Sequence, residues 1–113
     1  DGGESFRNLH PVLKAQEGAP PHLLLHSSGI LISVYGHRRS PYGIHAVFSN
    51  DGGDSWSEPY TLYDKSPSED CGYPCGTELS DGRILTVFYA REENGKNTVI
   101  HQSIWQLPSE ILN

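Results

Sequence analysis

The chain has 113 residues, with eight Lys and Arg against fourteen Asp and Glu, for a formal net charge of −6. That balance argues against nucleic acid or an anionic membrane as a partner, because neither phosphate nor acidic headgroups favour such a surface. The length suits one domain, no apolar run is long enough to cross a bilayer, and no stretch has the pattern of a signal peptide.

In chain order, the first expected strand is about Ser5–Leu13, the last of a unit covering residues 1–14 and preceded by the Gly-rich turn Asp1-Gly2-Gly3-Glu4. Four strands come next, Leu23–His26, Ile30–Gly36, Ile44–Ser49 and Trp56–Tyr63, and make one complete unit over residues 20–64. Three more, Cys75–Leu79, Ile84–Ala90 and Thr98–Gln106, fall within residues 70–108, and Ser109–Leu112 can add a single helical turn. β-Branched and aromatic residues crowd these segments, while Gly, Pro, Asn and Asp crowd the gaps; no segment carries a sustained helical period. The fold class is therefore all-β. The chain contains no Met and opens inside a motif, so a natural N-terminal part is expected upstream.

That motif is complete at Ser49-Asn50-Asp51-Gly52-Gly53-Asp54-Ser55-Trp56. Ser49, Asp51 and Ser55 can hydrogen-bond within their own turn, Gly53 and its neighbour supply the positive-φ positions of a tight reversal, and Trp56 can fold over the turn as a plug. Asp1-Gly2-Gly3-Glu4-Ser5-Phe6 repeats the second half of the motif fifty residues earlier, with Phe in place of Trp. Residues 20–35 likewise align with residues 73–88 as strand, Gly-containing turn, strand. A period of roughly 40–50 residues is what four short strands and their turns consume in one propeller blade.

The octapeptide resembles the Asp-box, the repeated hairpin element of sialidases (neuraminidases) and related β-propellers with BNR repeats. The similarity extends over nearly the whole chain through Tyr35–Ile44, Gly72-Tyr73-Pro74 and Asp81–Tyr89, as in the C-terminal third of such proteins. It implies about two blades of a six-bladed β-propeller with four-stranded antiparallel blades. It also implies a glycosidase acting on terminal acidic sugars, an exo-alpha-sialidase type of hydrolase, and a secreted or periplasmic location. A non-catalytic glycan-binding or purely structural propeller module is the rival reading. No cofactor and no metal is expected.

Antiparallel alternation places the starts of first strands and the loops between second and third strands at one end of each blade, with the Asp-box at the other. The first end gathers His22, His37, Arg38, Arg39 and Tyr73. By its position Tyr73 matches the family's covalent nucleophile. Arg39, before Arg38, matches the last arginine of the carboxylate-binding triad. A neutral tyrosine avoids the repulsion that an Asp or Glu would meet from the substrate carboxylate, and a guanidinium meets that carboxylate with two prongs. Each residue also has a structural reading: strand entry for Tyr73 before Pro74, a solvated loop for Arg38 and Arg39, and hydrogen-bonded spectators for His22 and His37. Asp70, three residues before Tyr73, is a weaker acid or base candidate. Cys71 and Cys75 are read either as a loop disulfide or as two small buried thiols, their spacing being wrong for a metal site.

One closing strand, one full blade and three further strands make eight, or two blades. Alone they leave open edges. If Ser5–Leu13 of one copy completes the three-stranded blade of a neighbour, three copies close a six-bladed ring, so a cyclic homotrimer is expected alongside a glycan or acidic sugar as ligand.

Overall fold

The structure, a computed structural model, describes residues 1–13 and 19–112. Seven strands form in order: β1 (His22–Leu25), β2 (Leu31–His37), β3 (Tyr42–Ser49), β4 (Tyr60–Ser66), β5 (Cys71–Glu78), β6 (Ile84–Arg91) and β7 (Thr98–Trp105), with a 3₁₀ turn at Ser109–Ile111 after them. They build two antiparallel meanders, β1-β2-β3-β4 and β5-β6-β7. The chain is all-β, in one four-stranded and one three-stranded sheet, as expected. Among the described residues no helix is long and apolar enough to cross a membrane.

Period-two alternation decides which side chains meet. Register pairs Ile32 with Phe48, Val34 with Ala46 and Gly36 with Ile44, so these six share the inner face of the first sheet. On the second sheet Ile84, Thr86, Phe88 and Ala90 alternate inward and pair with Trp105, Ser103, His101 and Val99. The two inner faces pack together: Ile32, Val34, Ala46 and Phe48 meet Ile84 and Leu107, and Ile44 meets Cys71, Phe88 and Ala90. Burying each large aliphatic side chain stabilises the pair of sheets by roughly 1.5–3 kcal/mol.

The contact is uneven across its width. Where β2 passes β5 the backbones nearly touch, and a Cβ on Gly36 would lie 3.1 Å from the Gly72 Cα. Toward β4 and β7 the filling is aromatic: Phe48 and Trp105 have ring centres 6.1 Å apart, Tyr63 and Phe88 5.1 Å, and Tyr63 and His101 5.4 Å. Polar ties span the sheets as well. The Gly76 N–H donates to His22 Nδ1 (3.0 Å), His26 Nε2 bonds the Gly82 carbonyl (2.8 Å), and the Ser27 N–H donates to Glu78 (2.8 Å).

The Asp-box is a closed hydrogen-bond circuit. Ser49 Oγ accepts from the Gly53 N–H (2.9 Å) and donates to Asp51 Oδ1 (2.8 Å), while the Ser55 N–H and hydroxyl both donate to Asp51 (2.9 and 2.5 Å). Trp56 Nε1 donates to the Gly53 carbonyl (3.1 Å), closing the plug. Those donors hold the Asp51 carboxyl down at about 2, the Ser55 hydroxyl being the largest cause. The truncated copy folds alike: Gly2 and Gly3 take φ of 69° and 89° against 73° and 96° at Gly52 and Gly53, and Gly3 N–H and Ser5 Oγ bond Asp1.

Three expectations are corrected. Ser5–Leu13 is not a strand: among the described residues no strand pairs with it, and Phe6 and Leu9 stand fully out in solvent. Lys14, the end of that expected unit, lies outside the described residues. The strand expected from Trp56 starts at Tyr60, because the Asp-box circuit and Pro59 occupy the intervening residues, and it runs on to Ser66. The strand expected from Cys75 begins at Cys71 and continues through a bulge between Gly72 and Cys75.

Candidate functional site

The meander order puts the starts of β1 and β5, the β2–β3 loop and the β6–β7 loop at one end of the sheets, and the Asp-box loop at the other. Tyr73 lies at the first end, in the β5 bulge. The backbone there departs from the pleat, with Gly72 at φ 134° and Tyr73 at φ 49°. A side-chain-bearing residue in the left-handed region costs of order 1–3 kcal/mol unless its surroundings impose it, and such residues concentrate at working sites. The bulge swings the phenol outward: Tyr73 is 64% exposed, and its ring lies 5.9 Å from that of Tyr89.

Arg38 completes the contact. Its Nε donates to the Cys71 carbonyl (3.3 Å), and its guanidinium carbon stands 5.9 Å from the centre of the Tyr73 ring. The reason is parity. Residues 32, 34 and 36 of β2 face the second sheet, and position 38 continues that series toward β5. The structure therefore brings Arg38 to Tyr73, and Arg39 lies exposed one position further along the loop. His37 falls on the opposite face and stacks on His45 with ring centres 4.0 Å apart. His22 is spent between the sheets on the Gly76 N–H. Of the residues expected at this rim, Arg38 and Tyr73 meet.

Three residues join them. Asp70 accepts from Arg91 Nε (3.1 Å), Arg91 also reaches the Gly95 carbonyl (3.2 Å), and Tyr89 stands against the Tyr73 ring. Burial pushes the Tyr89 phenol above its ordinary range, the nearby Asp70 carboxylate adds to this, and Arg38 opposes it. Burial likewise raises the Cys71 thiol, tempered by Ser66 and Arg38. Tyr89 and Arg91 were legible in outline, since they alternate outward along β6 and end at the same rim. Both cysteines are free. Cys71 is buried as expected for a small thiol, but Cys75 is exposed beyond the bulge.

The result is a cation beside an exposed phenol, next to a carboxylate already neutralised by its own arginine. Such a site can hold a planar anion on Arg38 against the Tyr73 ring. The described residues include no cluster of His, Cys, Asp and Glu suited to a metal ion. A separate cavity of about 230 Å³, lined by Phe48, Ser55, Trp56 and Glu110 among others, lies at the Asp-box end.

No protein-family model and no curated protein matches the chain. Among solved structures it is similar to the crystal structure of a protein of unknown function from Dyadobacter fermentans DSM 18053, with a TM-score of 0.69 and 26% identity. The match covers 79% of this chain and 25% of that one, so the chain spans about a quarter of that protein's length.

Proposed function

We propose that this chain is part of a sialidase-like β-propeller, a glycoside hydrolase of terminal acidic sugars, in which Arg38 binds the substrate carboxylate and Tyr73 is the nucleophile. The observation that carries the reading is Tyr73 itself, exposed, held at positive φ and set beside a guanidinium. A phenol is the nucleophile suited to an anomeric centre that already bears a carboxylate. Two meanders of blade length, an intact Asp-box and a second folded copy of its turn support the architecture. The match to one quarter of a longer chain agrees with a few blades of a larger ring.

One observation favours binding without hydrolysis in this stretch of chain. A tyrosine nucleophile needs a base, and Asp70, the carboxylate nearest in sequence, is engaged by Arg91. The chain as given is therefore a binder of acidic sugars, and turnover requires a base from other blades. Saturation-transfer NMR with N-acetylneuraminic acid tests this. Arg38→Lys should weaken binding about tenfold, because an ammonium cannot reproduce the two-pronged contact, while Tyr73→Phe and Arg39→Lys leave it nearly unchanged. In a chain that includes the remaining blades, Tyr73→Phe should abolish turnover of an aryl sialoside. Equal binding by wild type and Arg38→Lys would remove Arg38 from the site.

A further inference from the structure

The Asp-box end carries a recess that the acidic-sugar site does not use. Two adjoining cavities of about 230 and 290 Å³ share Phe48, Glu110 and Ile111, the first reaching Trp56 and the second Glu58 and Tyr60. The chain builds this recess from two sides. After the Asp-box, the Ser57 N–H donates to the Phe48 carbonyl (2.8 Å) and the Phe48 N–H donates to Ser57 Oγ (3.0 Å), which keeps Trp56 and Glu58 beside the end of β3. After β7, the 3₁₀ turn, with the Ile111 N–H on the Pro108 carbonyl (3.0 Å), brings Glu110 and Ile111 to the same place.

Two kinds of group line it. One is aromatic: Phe48 is buried and has its ring centre 6.0 Å from that of Tyr60, while Tyr60 is 39% exposed and stacks on Trp105 at 6.3 Å. The other is acidic. Glu58 and Glu110 are both exposed, and among the described residues neither side-chain carboxylate has an ion pair or a hydrogen bond. Among the described residues no lysine or arginine lines either cavity. Aromatic faces attract cations through the ring quadrupole, and the carboxylates add to that attraction and repel anions. An ammonium that still carries N–H groups is strongly hydrated and needs acceptors placed around it. A fully alkylated nitrogen has no donors to satisfy, so ring surface and nearby negative charge suffice.

We propose that this recess binds a small quaternary ammonium ion, with its methyl groups on the aromatic lining and its charge facing Glu58 and Glu110. The net charge of −6 draws such a cation toward the protein from a distance, and the recess gives it a place to rest. The site lies at the end of the sheets opposite Arg38 and Tyr73 and stands independently of the acidic-sugar reading.

Choline is the probe, followed by saturation-transfer NMR at its methyl protons with dissociation constants from titration. Wild type should bind choline, and dimethylbutanol, in which carbon replaces the charged nitrogen, should bind about tenfold more weakly. The double variant Glu58→Gln and Glu110→Gln keeps the shape of two exposed side chains. It should retain its β signal in circular dichroism and bind choline about tenfold more weakly, with dimethylbutanol unaffected. Tyr60→Leu keeps an apolar side chain but removes a ring face and should weaken choline about threefold; if it unfolds, the glutamine variant decides alone. Absence of saturation transfer to choline overturns the proposal, as does dimethylbutanol binding as tightly as choline, or choline binding unchanged in the glutamine variant. The two sites report separately: Arg38→Lys should leave choline binding intact, and choline binding without acidic-sugar binding would remove the Arg38 site and leave this one standing.

Discussion

The Ser49 hydroxyl lies at the centre of the Asp-box circuit and is 2% exposed, which makes it the sharpest test of what holds the turn. Ser49→Ala removes the acceptor of the Gly53 N–H and a donor to Asp51. A buried donor left without a partner costs about 1–3 kcal/mol. Gly53 is half-buried, so water recovers part of this, and the expected loss is about 2 kcal/mol. Ser55→Ala is the internal control: it deletes the same hydroxyl chemistry toward the same Asp51, but at an exposed position where water substitutes, and should cost within about 0.5 kcal/mol. At roughly 4–8 °C per kcal/mol for a domain near this size, Ser49→Ala should melt about 8–16 °C lower and Ser55→Ala about 4 °C lower at most. Urea unfolding followed by tryptophan fluorescence, with Trp56 as a local reporter, and thermal circular dichroism supply the readouts. Both are run at one protein concentration, so that any self-association is held constant between variants. A loss in Ser55→Ala equal to or larger than that in Ser49→Ala would refute the claim that burial sets the cost.

Gly43→Ala should be far more damaging than its size suggests, since a Cβ there would stand 1.7 Å from the Tyr63 carbonyl oxygen and push β4 off β3; a loss of about 3 kcal/mol or more is expected, and an unchanged urea midpoint would contradict it. Acid should destabilise the fold in a defined window. Asp51 is held at about 2 against an ordinary 3.8, and Glu78 and Asp81 are lowered by bonds from Ser27 and Arg83. The unfolded chain therefore binds these protons more tightly, so stability fully present above about pH 5 is lost as pH falls toward 2. Glu78→Gln should flatten part of that slope in midpoints measured across the window, and an unchanged slope would count against the Ser27–Glu78 tie.

Much of the architecture was legible because alternation and turn chemistry are local. Seven strands, two meanders and the placing of the Asp-box at one end come from β-branched runs separated by Gly and Asp. Ser5–Leu13 was misread for a physical reason: a strand exists only where another strand meets it, and nothing in residues 5–13 reports whether a partner is present. The same limit applied to Tyr73, since a bulge depends on how β5 meets β6. Arg38 could have been chosen over Arg39 by counting inward positions along β2 past its end, as parity extends one residue into the loop. The engagement of His22 by Gly76, and of Asp70 by Arg91, joins residues 54 and 21 apart and has no signature in either neighbourhood.

The close approach at Gly36 and Gly72 and the aromatic filling toward β4 and β7 have a joint consequence. Two sheets that touch on one side and are propped apart by rings on the other form a wedge, and any array made by repeating that wedge must curve. The angle is coded at the thin side by the absence of two side chains and at the thick side by Phe48, Tyr63, Phe88 and Trp105. Adding bulk at 36 or 72 would open the apex and straighten the array. Trimming the rings would have the same effect from the rim, by letting the thick side collapse. The curvature of any such array is thus a packing quantity, adjustable by a handful of side-chain volumes.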